Sequence, residues 1–242
     1  MPHATHILRT MEHSCAKMRD RLKELSFRPE DEKTLNIIIG PTAAAELLGR
    51  TTAALAKAEA QGRLPQPRTF PQNGRRYYTV EDLNTIRDLM KIPVGKAKGE
   101  KAVVLAVQNF KGGVGKSTIT KHLADYLGLH GYRVLVIDMD PQASTTTMFG
   151  IKPETLIDEK NILGNFLSPR MNVDDFRSCI RRTCWPRTDI VPSDLSLQDA
   201  EWDLTGSFRE DGTAVISAFQ ALKRGVDQVA TQNIGGLEKV LA

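Results

Sequence analysis

Two apolar runs, separated by an amphipathic stretch, stand out in the second half of the chain. The runs KAVVLAVQNF (residues 101–110) and YRVLVIDMDP (residues 132–141) each suit a buried strand of a parallel sheet. Between them, a glycine-rich turn leads into a helix predicted to end at Gly131, with four apolar side chains on one face: Ile119, Leu123, Tyr126 and Leu127. The pattern therefore predicts a strand, a glycine loop, a helix and a second strand.

Shorter periodic segments, divided by turn residues, fill the first half of the chain. They predict one helix over residues 41–48 and, after a tight glycine-containing turn, a second helix that begins at residue 51 or 52. The pair Asn73-Gly74 indicates a β-hairpin, and Thr79 can cap a further helix. Helix, turn, helix, hairpin and helix is the order of a winged helix-turn-helix domain of MerR-like type, which we place at residues 28–91.

An apolar stripe at heptad spacing marks the N-terminal segment, residues 1–27: Met11, Cys15, Met18, Leu22 and Leu25. It predicts a helix that either packs on its own domain or forms dimers. Residues 92–101 are rich in Lys and Gly without apolar periodicity, so we expect a linker there. Residues 102–242 then form the second domain.

The composition is that of a soluble globular protein, because 40% of the 242 residues are hydrophobic and 26% are charged. We predict no membrane segment, since no apolar run approaches the roughly 18 residues needed to span a bilayer. The three cysteines are irregularly spaced, which suggests neither a disulfide framework nor a zinc site. We therefore expect a cytoplasmic protein.

Positive charge is concentrated in residues 50–76, which hold six basic residues and one acid. In a winged helix-turn-helix, the second helix enters the major groove and the wing contacts phosphates or the minor groove, so DNA is the expected partner. The candidate contacts are Thr51, Thr52 and Lys57 on the helix and Arg75, Arg76 and Tyr77 on the wing. The alternative is a solvated basic face on a domain that binds other proteins.

The glycine loop NFKGGVGKST, residues 109–118, departs from the usual phosphate-loop template because Phe110 takes the place of the first glycine. Its glycines still allow successive backbone amides to turn around phosphate oxygens. Lys116 can reach the β- and γ-phosphates, and the Ser117 hydroxyl can ligate Mg²⁺. The candidate nucleotide-binding residues are Gly112, Gly113, Val114, Gly115, Lys116, Ser117 and Thr118.

Two carboxylates, Asp138 and Asp140, end the second apolar run, where an α/β protein can hold a metal and the attacking water. The sequence KGGVGKST resembles the deviant Walker A motif, and VLVIDMDPQAS is similar to the second motif of the ParA/MinD-type partition ATPases. The resemblance implies an ATPase that uses ATP and Mg²⁺. It also implies that Lys111 contacts the partner's phosphates across a nucleotide-sandwich dimer, that Asp140 positions the water, and that Asp138 lies near the Mg²⁺ shell.

With its N-terminal segments, the chain resembles the larger plasmid-partition ATPases, including the RepA proteins of repABC plasmids. That resemblance implies an ATP-dependent homodimer on the nucleoid that binds operator and nonspecific DNA, represses its own operon, and has a ParB-like centromere-binding partner. The catalytic residues would be Lys111, Lys116 and Asp140. The alternative is a transcriptional regulator that uses nucleotide only as a switch or not at all. A septum-site or metal-cluster ATPase would leave the basic segment without a purpose.

The chain departs from this family after residue 145, where no run of four apolar residues is followed by Asp. The tail, residues 213–242, suggests only one or two helices. The fold class we expect is α/β, with an incomplete phosphate-loop NTPase-type parallel sheet of about three strands, preceded by the small, mainly α-helical winged domain. We expect the C-terminal half of the family fold to be missing and an apolar sheet edge to be exposed.

Overall fold

The computed structural model describes residues 17, 18, 21, 35, 37–94, 102–156, 159–168, 173, 175–200, 213–230 and 239–241. Most of the predicted N-terminal segment, residues 1–27, and most of the predicted linker, residues 92–101, lie outside the described residues. The described residues form two units, an N-terminal unit (residues 37–94) and an α/β unit that starts at residue 102.

Two helices, a hairpin and a third helix make up the N-terminal unit. They are α1 (Pro41–Leu47), α2 (Thr52–Ala60), β1 (Arg68–Thr69), β2 (Arg76–Tyr77) and α3 (Val80–Leu89). The Thr51 hydroxyl caps α2 by accepting a hydrogen bond from the amide of Ala54 at 3.2 Å. Thr79 and Asp82 form a reciprocal capping box at the start of α3. The order of elements is the one predicted from the sequence.

The α/β unit is built around a five-stranded sheet. Its elements are β3 (Val103–Leu105), α4 (Lys116–Leu129), β4 (Val134–Ile137), α5 (Ser144–Met148), α6 (Leu163–Leu167), β5 (Arg181–Arg182), β6 (Thr188–Val191), α7 (Thr213–Ala230) and β7 (Lys239–Leu241), with short 3₁₀ turns at Pro153–Thr155 and Phe176–Cys179. The strand order is β3-β7-β4-β6-β5. Strands β3, β7, β4 and β6 run parallel, whereas β5 is antiparallel to β6.

The last part of the chain corrects the prediction of a wholly helical tail and about three parallel strands. Residues 213–230 are helical as expected, but β7 lies between β3 and β4 and pairs in parallel with both. The sheet therefore has four parallel strands. A run as short as Lys239–Leu241 has no periodicity that distinguishes a strand from a helix, and its two neighbouring strands provide the hydrogen bonds that fix it.

Strand β3 corrects the prediction that the run before the glycine loop is buried. It forms the edge of the described sheet, and Val103 and Val104 are 44% and 50% exposed. The strand is parallel, as predicted, but only its β7 side is paired. The expected apolar sheet edge is therefore present among the described residues, and it lies at β3.

Helix α4 packs on the sheet through a face that only partly matches the predicted one, because Leu127 is buried and Leu123 packs against the same apolar cluster. Ile119 and Tyr126 are exposed, whereas the buried residues of the helix are Thr120, Ala124, Leu127 and Gly128. A Cβ atom at Gly128 would lie 2.9 Å from Thr188 Oγ1 and 3.1 Å from Trp185 Cε3. Small residues therefore bring α4 close to the sheet beside Leu127, whereas Ile119 and Tyr126 face away from this contact.

The two faces of β4 belong to different apolar clusters. Val134 and Val136 join a cluster that includes Leu127 of α4 and continues into the N-terminal unit, whereas Leu135 and Ile137 pack with residues of α6 and α7 on the opposite face. Because the first cluster is continuous, the N-terminal unit and the α/β unit share one apolar core.

Arg87 of α3 joins the two units at the C-terminal end of α4. Its side chain is 1% exposed, and its guanidinium donates to the carbonyl of Leu129 at 2.8 Å and to Asn84 Oδ1 at 2.9 Å. Burial, together with the charge of nearby Arg187 and opposed by Asp88, lowers the pKa of Arg87 to about 10. Polar contacts therefore fix the N-terminal unit to the helix that begins at the glycine loop.

Candidate phosphate-binding site and basic surface

The glycine loop lies between β3 and the first turn of α4. Gly113 and Gly115 have φ angles of 72° and 86°, in the left-handed region that glycine adopts without a steric penalty. Gly115 is the N-cap of α4, and no side chain in the described part of the chain caps this end of the helix. The first amides of α4 and the positive end of its dipole therefore remain available to an anion.

The loop opens onto a cleft of about 330 Å³ at the carboxyl end of β4. Its lining residues are Val107, Gln108, Asn109, Lys116, Ser117, Thr120, Ile137, Asp138, Met139, Asp140, Pro141 and Thr145. The fold thus brings the predicted lysine, hydroxyl and both carboxylates to one cavity. A lysine beside amide donors is suited to phosphate, and oxygen ligands are suited to Mg²⁺.

The remaining loop residues lie outside the cleft lining. Phe110 is 100% exposed, and Lys111, Gly112, Gly113, Val114 and Thr118 are also exposed. The amide of Lys111 donates to Asn109 Oδ1 at 2.9 Å, and the Lys111 carbonyl accepts a hydrogen bond from Lys116 Nζ at 3.3 Å. Lys111 therefore lies on the outer surface of the loop, away from the cleft that Lys116 lines.

The two carboxylates differ in their surroundings. Asp138 is buried, and its Oδ2 accepts hydrogen bonds from the amide of Thr146 at 2.8 Å and from the Thr146 hydroxyl at 2.7 Å. Burial raises the pKa of Asp138, although these hydrogen bonds oppose the shift. Asp140 is only partly buried, and its Oδ1 accepts from the amide of Gln142 at 2.9 Å. The first acid is fixed by the protein, and the second is more open to the cleft.

The predicted DNA contacts fall into two groups. Thr51, Thr52 and Lys57 on α2 and Arg75 in the hairpin are exposed. Arg76 is half-buried and pairs at 3.0 Å with the buried carboxylate of Glu59, and Tyr77 packs against Phe70 with ring centroids 4.6 Å apart. The first group is free to meet a ligand, whereas the second also holds the hairpin in place.

Glu59 links the hairpin to α2. Its carboxylate accepts hydrogen bonds from Tyr78 Oη at 2.5 Å and from the Arg76 guanidinium, and its carbonyl accepts from Gln66 Nε2 at 2.9 Å. The pKa of Tyr78 is raised, mainly because the side chain is buried and also because it donates a hydrogen bond to Glu59. The hairpin and α2 are therefore held together as one exposed basic surface.

The family model described as "AAA domain" matches residues 102–232, more than half of the chain, and includes the glycine loop and both carboxylates. The chain belongs to this AAA domain family. Among the described residues, no helix of the AAA domain or of the N-terminal unit combines the length and apolar character needed to cross a bilayer.

The relatives of this AAA domain protein include putative replication proteins and protein SopA. A putative replication protein A of Rhizobium rhizogenes is 35% identical over 187 residues, which cover 73% of this chain and 45% of that protein. Protein SopA of Escherichia coli strain K12 is 34% identical over 195 residues, which cover 77% of this chain and 48% of that protein. The chain thus spans about half the length of these curated relatives.

A solved structure described as a partition protein has a similar fold. It aligns over 96% of this chain and 63% of its own, with a TM-score of 0.56 and 20% identity. The resemblance to the ParA/MinD-type ATPases and the phosphate-loop NTPase-type α/β fold are thereby confirmed for the AAA domain. The alignment also extends across the N-terminal unit, as a likeness of fold.

Sequence reasoning missed several residues of the AAA domain that complete the cleft. The cleft is also lined by Gln108, Asn109, Thr120 and Thr145. The Thr146 hydroxyl donates a hydrogen bond to Asp138, which lines the cleft. Their positions next to the glycine loop and the DMDP acids were a usable signal. The run of three threonines at 145–147 could not show which hydroxyl points toward the acid, because α5 is a single short helix whose orientation depends on its packing.

Proposed function

We propose that the chain is the nucleotide-binding portion of a partition ATPase of the ParA type, which binds ATP with Mg²⁺ in the cleft. The observation that supports this most directly is the convergence of Lys116, Ser117, Asp138 and Asp140 on one cavity at the uncapped start of α4. Loop amides and Lys116 would hold the phosphates, and Gly112, Gly113, Val114, Gly115 and Thr118 would shape the loop around them.

The cleft offers the oxygen ligands that Mg²⁺ prefers. The Ser117 hydroxyl would bind the ion directly, and Asp138, whose oxygens already accept protein donors, would hold its water shell. When bound, Mg²⁺ would neutralise charge on the phosphate oxygens. Asp140, the more open acid, would orient the attacking water for hydrolysis.

The exposed outer surface of the loop supports a dimer in which Lys111 contacts the nucleotide of the partner subunit. Lys111 is outside its own cleft, beside the fully exposed Phe110. An exposed aromatic ring next to a cation suits a protein contact that also involves phosphate. The ATP-bound homodimer would bind nonspecific DNA on the nucleoid, in the cytoplasm, and a ParB-like centromere-binding protein would stimulate its hydrolysis.

The N-terminal unit would be a MerR-like winged helix-turn-helix domain, within residues 28–91, that binds the operator of its own operon. The order of elements, the exposed α2 residues Thr51, Thr52 and Lys57, and the hairpin support this assignment. Arg75 would contact a phosphate directly. Arg76 and Tyr77 would present the wing from their contacts with Glu59 and Phe70.

The joint at Arg87 favours a second candidate, a transcriptional regulator that uses nucleotide as a switch. The N-terminal unit is bonded to Leu129, at the far end of the same helix that starts at the phosphate loop. In this alternative, nucleotide would change operator binding without turnover. The two candidates share the cleft and differ in whether phosphate is released.

The assignment is tested by nucleotide binding and phosphate release in the wild type and in Lys116→Ala. Loss of a charge-assisted phosphate contact should weaken ATP binding about 100-fold. Lys152→Ala, which removes an exposed lysine outside the cleft, is the matched control and should behave as the wild type. Undiminished ATP hydrolysis in Lys116→Ala would refute the ATPase assignment, whereas binding without phosphate release would favour the switch.

The DNA assignment is tested by the salt dependence of binding to the DNA upstream of the gene. Arg75→Ala should reduce the slope of log affinity against log salt by about 0.9, the value for one lost phosphate contact. Lys160→Ala, which removes an exposed cation from the α/β unit, should leave that slope unchanged. An unaltered slope in Arg75→Ala would remove this residue from the contacts.

A further inference from the structure

Thr146 of α5 is a buried polar residue to which the proposed chemistry gives no role. Its hydroxyl lies 2.7 Å from Asp138 Oδ2 and 2.9 Å from the amide nitrogen of Ser193, which follows β6. Its own amide donates to the same Asp138 oxygen at 2.8 Å. One threonine therefore connects α5, the carboxyl end of β4 and the segment after β6.

The hydrogen-bonding roles of this hydroxyl are fixed by its partners. The Ser193 amide can only donate, so the Thr146 oxygen must accept from it and direct its single proton to Asp138. A hydroxyl that accepts from an amide becomes a stronger donor, which tightens its bond to the carboxylate. The direction of the proton is therefore set by the fold.

This arrangement divides the two oxygens of Asp138. Oδ2 accepts two hydrogen bonds from Thr146, whereas Oδ1 accepts, among the residues that the structure describes, only that of the Asp140 amide, at the longer distance of 3.2 Å. The carboxylate is thereby prevented from rotating. Oδ1 is the oxygen with capacity left for a water or a cation in the cleft that Asp138 lines.

We propose that Thr146 is a positioning residue of the cleft, whose hydroxyl orients Asp138 and so supports Mg²⁺-dependent nucleotide binding. The proposal rests on the proposed function, because it assumes that the cleft takes a nucleotide with Mg²⁺. Its neighbours on α5 differ from it, since Thr145 lines the cleft and the Thr147 hydroxyl donates to the carbonyl of Ala143.

The test compares Thr146→Val, which replaces the hydroxyl by a methyl group of similar size, with Thr146→Ser, which keeps the hydroxyl. Thr147→Val makes the same chemical change one residue along, on an exposed side chain. For each variant, affinity for a fluorescent ADP is measured in Mg²⁺ and in EDTA, and the folded fraction is measured by circular dichroism. This readout does not require turnover.

We expect Mg²⁺ to strengthen ADP binding by the wild type, and Thr146→Val to lose about tenfold of that gain, the usual lower bound for removing a residue that supports a metal ligand. Affinity in EDTA should stay within about twofold, because phosphate contacts are unchanged. Thr146→Ser and Thr147→Val should keep the Mg²⁺ gain of the wild type.

Three outcomes would overturn the proposal. A full Mg²⁺ gain in Thr146→Val would show that the hydroxyl is only structural. A loss of the Mg²⁺ gain in Thr146→Ser, which keeps the hydroxyl, would assign the effect to the methyl group. Because Thr146→Ser is compared with the wild type, this outcome remains decisive if Thr146→Val does not fold. Failure of the wild type to bind ADP would overturn the proposed function itself and the positioning role with it.

Discussion

The two ends of helix α4 are built in opposite ways. At its C-terminal end, the carbonyl of Leu129 accepts a hydrogen bond from Arg87, and the carbonyl of Gly131 accepts one from Arg187 at 3.0 Å. Two cations there complement the negative end of the helix dipole. At its N-terminal end, Gly115 provides no side-chain cap, and the loop before it is exposed.

This difference separates groups that stabilise the fold from groups that remain available to a ligand. Polar groups at the C-terminal end are satisfied by other parts of the protein, so changes there should alter the free energy of unfolding. Amides at the N-terminal end have no side-chain partner among the described residues, so changes there should alter nucleotide binding more than stability. Substitutions at matched positions can test this division.

The largest loss of stability is expected for Gly131→Ala. Gly131 has a φ angle of 88°, and a Cβ there would lie 2.8 Å from Arg87 Cδ and 3.0 Å from Arg87 Nε. Arg87 cannot move away without losing its buried hydrogen bonds. Backbone strain and a displaced guanidinium together should lower the free energy of unfolding by about 3 kcal/mol, measured by urea denaturation.

Gly112→Ala is the control at the opposite end. Gly112 does not have a positive φ angle, and no atom of the residues that the structure describes lies within 4 Å of a Cβ built there. The free energy of unfolding of Gly112→Ala should stay within about 0.5 kcal/mol of that of the wild type. Equal losses in the two variants would show that the C-terminal end of α4 is no more constrained than the loop.

The second prediction concerns Arg87→Met, which keeps an apolar stem in the buried site and removes the guanidinium. The carbonyl of Leu129 and Asn84 Oδ1 would lose their donor in a site that is only 1% exposed. We expect a loss of about 2 kcal/mol in urea denaturation, the cost of an unsatisfied buried carbonyl.

Arg87→Met combined with Gly131→Ala should lose less than the sum of the two single losses, because both act on the same side chain. Additive losses in this double-mutant cycle would contradict the contact between Arg87 and Gly131 as the source of the effect. Asp194→Asn changes a buried carboxylate that accepts a hydrogen bond from the Ser196 amide at 3.1 Å and takes no part in the contacts of Arg87, so its loss should add independently.

The third prediction concerns Gly113, in the glycine loop before the N-terminal end of α4. Gly113 has a φ angle of 72°, but a Cβ built there has no atom within 4 Å in the described part of the chain. Gly113→Ala should therefore lose only about 1 kcal/mol, the cost of the left-handed backbone for alanine, in urea denaturation. A loss as large as that of Gly131→Ala would mean that the loop is held by the fold as tightly as the C-terminal end.

Local signals in the sequence predicted much of the fold. The capping box at Thr79 and the turn at Asn73-Gly74 each depend on residues within a few positions, and both are present. Strand β7 and the small buried residues of α4 were missed, because each depends on a distant partner. The pairing of β7 with β3 spans more than 130 residues. Gly128 is buried because Trp185 and Thr188, more than 50 residues further along the chain, pack directly against it.

The candidate phosphate-binding site could also be predicted only as far as local patterns in the sequence reach. Lys116, Ser117, Asp138 and Asp140 were predicted because a glycine loop and a strand end are recognisable in the sequence, and the fold brings them to one cleft. Thr146 and the joint at Arg87 were not predicted, since their roles arise from contacts with Ser193 and Leu129. A sequence shows which groups can bind, whereas packing decides which of them the protein itself satisfies.

The smallest effect is expected for Asp88→Asn at the same joint. Asp88 pairs with Arg187 at 2.8 Å, but its side chain is 70% exposed, and exposed ion pairs contribute about 0.5 kcal/mol or less. Arg187 would keep its bond to the Gly131 carbonyl, so urea denaturation should be almost unchanged. A loss approaching that of Arg87→Met would show that the ion pair, rather than the bonds from guanidinium groups to helix carbonyls, closes this end of α4.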